Sequence, residues 1–207
     1  MFYQKALDDT LRFGDVVRGF VLASPNLEGP ASHDNYRIDV SLPSFCVVLS
    51  PCCSIGGKLI SLSPLIEVRG SFFDNPFFEE DLTRINRKME PQQAVAPHVW
   101  RGFSSEEKQK RLDEGYAYAF LEVFIYEKHD LLPKYRIHRK RRNLETNYYM
   151  IDFRNTCKLN CEKIVTPKNA PLESNCLQLT TEARSELRDK IAYYYGRIPE
   201  EDEILKD

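Results

Sequence analysis

The sequence is short of the features that assign a chain to a class at sight. No apolar run approaches the ~20 residues that a membrane-spanning helix needs, and Met1-Phe2-Tyr3-Gln4-Lys5 carries neither the basic segment nor the apolar core of a secretory leader. The expectation is a soluble, non-secreted, cytoplasmic protein without a membrane partner. An excess of one charge is also missing: 29 Lys and Arg stand against 31 Asp and Glu, a formal net charge of −2. Binding to nucleic acid through overall charge is thereby excluded, and any such binding must be local. Six cysteines among 207 residues are too sparse for the disulfide framework of a small secreted scaffold, so a reducing compartment is expected. There is no internal repeat and no low-complexity segment.

What is present is core material. Hydrophobic residues make up 42% of the chain, with 12 Phe and 11 Tyr, enough to fold one large domain rather than two. The pattern is mostly strand-like. Val16 to Leu22 follows the turn signal Gly14-Asp15; Tyr36 to Val40 alternates; Phe45 to Ser50 runs continuously apolar. The first ten residues predict one short amphipathic turn. Lys58 to Leu62 and Leu65 to Val68 continue the series, and Tyr148 to Phe153 and Leu159 to Val165 end it. Tyr116 to Tyr126 is apolar on both faces except at Glu122, which predicts a central strand covered on both sides.

Residues 71–115 differ in character and read as a helical insertion around a Pro-rich link that holds His98 and Trp100. Ser104 and Glu107 have the spacing of a capping box, and the helix they start has almost no apolar stripe, either because it is solvated or because it faces a partner. Thr180 or Thr181 caps a final helix with Ala183, Leu187, Ile191 and Tyr194 on one face, stopped by Gly196 and Pro199.

Phe13-Gly14-Asp15-Val16-Val17, then Val47-Val48-Leu49-Ser50-Pro51, then Leu59 to Leu65 resemble the front half of the MazF/PemK-like toxin family. The match covers about a quarter of the chain. The resemblance implies a mainly β (α+β) fold: an SH3-like barrel from 12–70 and 116–166, interrupted by the insertion 71–115, closed by a helix over 180–196 and followed by an acidic tail, 197–207. It also implies a prokaryotic toxin–antitoxin, stress or phage-defence setting, an antitoxin-like or regulatory protein partner, a possible homodimer, and metal-independent cleavage of single-stranded RNA.

Departures at the family's active positions redirect that expectation. Such cleavage needs a base, an acid and a cation or donor at the phosphate. Ser44 stands where the family has Arg, and Leu65 or Ile66 where it has Thr or Ser. The chain therefore reads as a binding or regulatory relative without the standard RNase site. The alternative is an endoribonuclease with rearranged residues, for which Arg37, Ser54 and His138 are the catalytic candidates; Ser63 is a further polar neighbour of that region.

Lys134-Tyr135-Arg136-Ile137-His138-Arg139-Lys140-Arg141-Arg142 is the strongest local charge, with six cationic residues and no acid. Lys134, Tyr135, Arg136, Arg139, Lys140, Arg141 and Arg142 are candidates for binding RNA, with Tyr148 and Tyr149 as further stacking platforms. An acidic protein partner, or a plain solvated loop, fits the same composition. Cys157 with Cys161 and the adjacent Cys52 and Cys53 allow a four-thiolate zinc site by count, but neighbouring cysteines on a strand point to opposite faces. Buried free thiols are the simpler assignment, and no metal or cofactor is assigned. Cys52 beside Ser54 is also a candidate nucleophile, with no histidine placed next to it.

Overall fold

In the computed structural model the described residues are 1–7, 10–18, 20–27, 36–51, 54, 59–74, 78, 82, 85–86, 93–95, 97–118, 120–138, 143–160 and 176–196. The strands are β1 (Val16–Val17), β2 (Leu22–Leu27), β3 (Tyr36–Ser41), β4 (Cys46–Val48), β5 (Leu59–Pro64), β6 (Ile66–Glu67), β7 (Ala94–Val95), β8 (Ala117–Tyr118), β9 (Val123–Tyr126), β10 (Tyr135–Ile137), β11 (Leu144–Thr146), β12 (Tyr149–Asp152) and β13 (Cys157–Asn160). A 3-10 turn spans Gly70–Asp74, and the α-helices are α1 (Pro97–Gly102), α2 (Ser105–Asp113) and α3 (Thr181–Gly196). The protein is mixed α+β, mostly strands with a C-terminal helix. Among the described residues the strands form separate sheets and no closed barrel.

The largest sheet has the order β1-β4-β5-β13, antiparallel throughout. Its centre is the run Cys46-Val47-Val48, buried on both faces, and alternate residues enter different cores. Val16, Phe45 and Val47 pack with Phe2, Leu179 and Leu187; Val17, Cys46, Val48, Ile60 and Leu62 pack with Leu11 and Leu22. Such a split follows from the two-residue period of a strand.

The second sheet, β6-β12-β9, separates two cores in the same way. Phe124, Tyr126, Tyr149 and Ile151 face the core shared with α3. Val123, Ile125 and Met150 face the other, built from Phe72, Phe78, Leu82, Ile85 and Trp100 of the 71–115 region. Trp100 is therefore a core residue on α1 rather than part of an open link. Helix α2 carries no buried residue, and its capping box is complete: Glu107 N–H donates to Ser104 Oγ at 3.1 Å, and Ser104 N–H to Glu107 Oε2 at 2.9 Å. Its exposure fits a solvated and a partner-facing helix alike.

Two expectations are corrected. The stretch 116–126 is two strands, not one: β8 pairs in parallel with β7, and a turn at Leu121-Glu122 leads into β9. Phe120 stacks on Phe72 at 3.9 Å and Glu122 C=O accepts from Phe153 N–H at 2.8 Å, so the interruption is packed and bonded. The N-terminus is likewise built in. Phe2 and Tyr3 are buried, Tyr3 bridges Leu179, and the Tyr3 hydroxyl donates to Glu127 C=O at 2.6 Å. Of the expected strand 159–165, residues up to 160 belong to β13 and the rest lie outside the described residues.

Helix α3 starts where the sequence placed it, with Thr180 Oγ1 accepting from Ala183 N–H at 3.3 Å. Ala183 and Leu187 are buried, and Ile191 and Tyr194 pack against the same core.

Candidate functional site

The basic segment forms a hairpin. β10 and β11 pair with Tyr135 opposite Thr146, Arg136 opposite Glu145 and Ile137 opposite Leu144. Alternation sorts the chemistry by face. Tyr135 and Ile137 turn inward: the Tyr135 hydroxyl donates to Tyr148 C=O at 2.5 Å and accepts from Val68 N–H at 2.9 Å, and burial raises its pKa. Gly70 lies close beneath Ile137, whose Cγ2 is 3.1 Å from where a Cβ at Gly70 would sit. Arg136 turns outward, with its Nε 3.4 Å from Glu145 Oε2 and both side chains exposed, an ion pair of little energetic weight. Lys134 and His138 are exposed, and His138 Nδ1 lies 3.3 Å from Asn143 Oδ1. Arg139, Lys140, Arg141 and Arg142 belong to the connection between these ends and lie outside the described residues.

Stacking by Tyr148 and Tyr149 is corrected. Both are buried; the Tyr149 hydroxyl donates to Pro133 C=O at 3.0 Å, and Lys128 Nζ already sits 4.8 Å from the centre of the Tyr148 ring. These rings hold the hairpin's root in place, so the exposed chemistry of the segment is cationic.

The three catalytic candidates fall on different elements. Arg37 is exposed on β3, His138 is exposed past β10, and Ser54 is half-buried in a helical position, where its N–H donates to Pro51 C=O at 3.0 Å. Cys52, Cys53 and Cys161 lie outside the described residues. Cys46 is buried beside Cys157, and burial pushes its thiol up to about 12, an inert rather than a reactive group. At the positions where the resembling family is active, Ser44 is exposed, Leu65 buried and Ile66 half-buried. Ser63 is fully buried, with its hydroxyl 3.5 Å from Asp152 C=O.

The burial of three polar groups, Asp15, Asp152 and Lys190, had no sequence signal. Asp15 accepts from Arg12 N–H at 2.8 Å, Gln178 Nε2 at 3.2 Å and Arg184 Nη2 at 3.3 Å, joining the Gly14 turn to α3. Burial pushes its carboxyl up to about 6, against the lowering by these donors. Asp152 is held below the usual carboxylate range by the Arg154 guanidinium, bonded at 2.8 and 2.6 Å, with Arg69 at 3.3 Å. Lys190 on α3 is buried and donates to Ile85 C=O; burial lowers it to about 7.

A cleft of about 240 Å³ beside α2, lined by Phe103, Glu107, Lys110, Arg111 and Glu114, is smaller and more charged than ordinary small-molecule sites. Among the described residues no three His, Cys, Asp or Glu side chains cluster as metal ligands, and no helix is long and apolar enough to cross a membrane. The chain matches no protein-family model, no curated protein and no solved structure.

Proposed function

We propose that the chain is a divergent MazF-like protein that acts as a binding or regulatory component of a prokaryotic toxin–antitoxin, stress or phage-defence system, and that the β10–β11 hairpin binds single-stranded RNA through its phosphates. The observation that carries the binding role is the hairpin itself: an anchored inner face and an outer face that presents Lys134, Arg136 and His138, followed in sequence by four further cations. The MazF-like, SH3-barrel assignment rests on the resemblance. It is supported by the arrangement of the three resembling segments, since β1 after Gly14-Asp15 pairs with β4, and β4 with β5, in one antiparallel sheet. A binding rather than a catalytic role is supported by the buried apolar Leu65 and the exposed Ser44 at the positions where the resembling family is active.

Fluorescence anisotropy with an unstructured RNA, repeated in EDTA over a salt series, tests this. The logarithm of affinity falls with log salt by ~0.7 per phosphate contacted, and the Arg139→Ala, Lys140→Ala, Arg141→Ala triple variant flattens that slope. A flat slope in the wild type, or a triple variant that binds unchanged, refutes RNA binding by the hairpin. Specific metal-independent cuts that disappear in Arg37→Ala refute the non-catalytic assignment in favour of the endoribonuclease.

A further inference from the structure

Tyr195, the penultimate residue of α3, is 61% exposed, although Phe153 and Tyr194 beside it pack into the core. Its ring is nonetheless held in place. The hydroxyl donates to Phe153 C=O, and the ring stands edge-to-face with Tyr194 at 5.0 Å, itself 5.5 Å from Phe153. A ring pinned at its polar end and backed by a second ring has little entropy left to lose when a flat group lies against its open face.

Two guanidiniums stand at the same place. Arg154 follows Phe153 in the chain and is bonded to Asp152 through Nε and Nη2, while Arg69 Nη2 reaches Asp152 Oδ2 at 3.3 Å. The Arg154 and Arg69 side chains are 54% and 50% exposed, against 4% for Asp152. One guanidinium balances one carboxylate, so the second cation is surplus to the ion pair, and a guanidinium has more N–H donors than Asp152 takes from either. Glu122 lies within electrostatic reach of Arg154 and offsets part of this charge, which makes the place weakly rather than strongly basic. The pair adjoins the hairpin, because Arg69 precedes Gly70, which lies beneath Ile137 of β10.

We infer that the C-terminal end of α3 holds one nucleotide of a single-stranded RNA, with the base stacked on Tyr195 and the phosphate against Arg154 and Arg69. The inference rests on RNA being the ligand, as proposed above for the hairpin. It supplies what the hairpin lacks, an aromatic face, since Tyr135, Tyr148 and Tyr149 are turned inward. An aromatic ring beside arginines grips single strands of any sequence, because every base has a π-face. The arrangement of the two halves follows from charge. A helix C-terminus carries partial negative charge, so the uncharged base belongs over the helix end and the phosphate belongs with the guanidiniums. The weak net charge leaves more of the affinity to stacking than to the phosphate. An acidic peptide would use the cations and leave the ring idle.

Anisotropy titrations of the full chain with an unstructured RNA, and with an abasic ribose-phosphate strand of the same length, test the site. Tyr195→Leu weakens RNA binding at least about fivefold, the lower end of what one stacked base contributes, and leaves the salt slope unchanged because the lost contact is uncharged. The same variant binds the abasic strand as the wild type does. Tyr195→Phe keeps the ring and binds RNA nearly as the wild type does, which separates stacking from the hydroxyl's bond to Phe153. Arg69→Met leaves Asp152 to Arg154 and lowers the salt slope by ~0.7. Tyr195→Leu that binds RNA as tightly as the wild type, or that loses RNA and abasic strand equally, overturns the inference. If that happens while the triple hairpin variant still flattens the salt slope, the hairpin proposal stands and the α3 site alone falls. A triple variant that binds unchanged while Tyr195→Leu weakens RNA binding refutes the hairpin and supports the α3 site.

Discussion

Lys190 offers a test of how the 71–115 region is attached to the rest of the protein. Its ammonium is buried on α3, donates to the Ile85 carbonyl, and has its pKa lowered from 10.5 to about 7, first by burial and against the opposing pull of Glu122. The sign follows directly. Between pH 7 and 10.5 the unfolded chain holds a proton on Lys190 that the folded chain does not, so stability rises with pH by up to about 1.4 kcal/mol per unit. The contribution is complete above the unfolded value and lost as pH falls through the folded one. From pH 7 to pH 9 it amounts to about 2 kcal/mol, because at pH 7 the folded group is half titrated. Lys190→Met keeps the apolar stem and removes the charge, while stranding the Ile85 carbonyl at a pH-independent cost of about 1–3 kcal/mol. Urea unfolding of both proteins at pH 7, 8 and 9 isolates the effect, since Tyr3, Tyr126 and Tyr135 are common to both and cancel. The stability of wild type minus variant is expected to rise by about 2 kcal/mol across that range. Lys190→Arg, which cannot deprotonate, should be destabilised at each pH and most at pH 9. Parallel curves for wild type and Lys190→Met would refute the reasoning, because they would mean that Lys190 keeps its proton in the fold.

The Asp15 network and the Gly14 turn give two further predictions. Arg184→Met removes the guanidinium from a carboxylate with no exposure and should cost about 3–5 kcal/mol at pH 7. Asp15 already has a raised pKa, so its protonated form is favoured in the fold, and the deficit of Arg184→Met in urea unfolding should shrink as pH falls from 7 to 4. A deficit that grows on acidification would contradict this. Gly14→Ala puts a side chain at φ +87° and a Cβ 2.7 Å from Leu179 Cδ1, the first strained and the second a clash with the core under α3. The combined cost is about 2–4 kcal/mol, read as a fall in Tm of roughly 5–15 °C.

How far the sequence disclosed this structure depended on whether the signal was local. Gly14-Asp15 marked a turn that only glycine makes cheaply, and β1 follows it; the Ser104–Glu107 box and the Thr180 cap each satisfy helix-end groups within a few residues, and both are where they were expected. The division of 116–126 was not local. Continuous apolar character is the same for one covered strand and for two short ones, and the break is set by Phe72 and by Phe153 N–H, distant in sequence. The hairpin could have been found: Tyr135 and Ile137 alternate with Arg136 and His138 at the period of a strand, a signal masked by the density of charge. The stacking role for Tyr148 and Tyr149 failed because proximity in sequence says nothing of which face a ring occupies. The burial of Lys190 was hidden for a similar reason. A lysine on the apolar side of an amphipathic helix reads as a snorkelling side chain until the carbonyl it meets is known.

The sheet β6-β12-β9 argues that the 71–115 region is part of the folding unit whatever its origin in sequence. One face of that sheet is covered by α3 and the N-terminus, the other by Phe72, Phe78, Leu82, Ile85 and Trp100. Removing residues 71–115 would leave Val123, Ile125 and Met150, each essentially inaccessible, open to water on a central sheet. Each such side chain is worth about 1.5–3 kcal/mol of burial, so the three together approach the whole stability of an ordinary domain. Deletion of 71–115 is therefore expected to yield an unfolded or aggregated product rather than a smaller folded unit, and circular dichroism of the deleted chain would show it. A cooperatively melting product would mean that the sheet needs only one of its two covers. Asn86 makes the same point through the backbone. Its side chain accepts from Ile125 N–H and donates to Ile125 C=O, both at 2.7 Å, on the strand at the sheet's edge. A strand whose outer polar groups are satisfied by a residue of the added region has lost the option of folding without it.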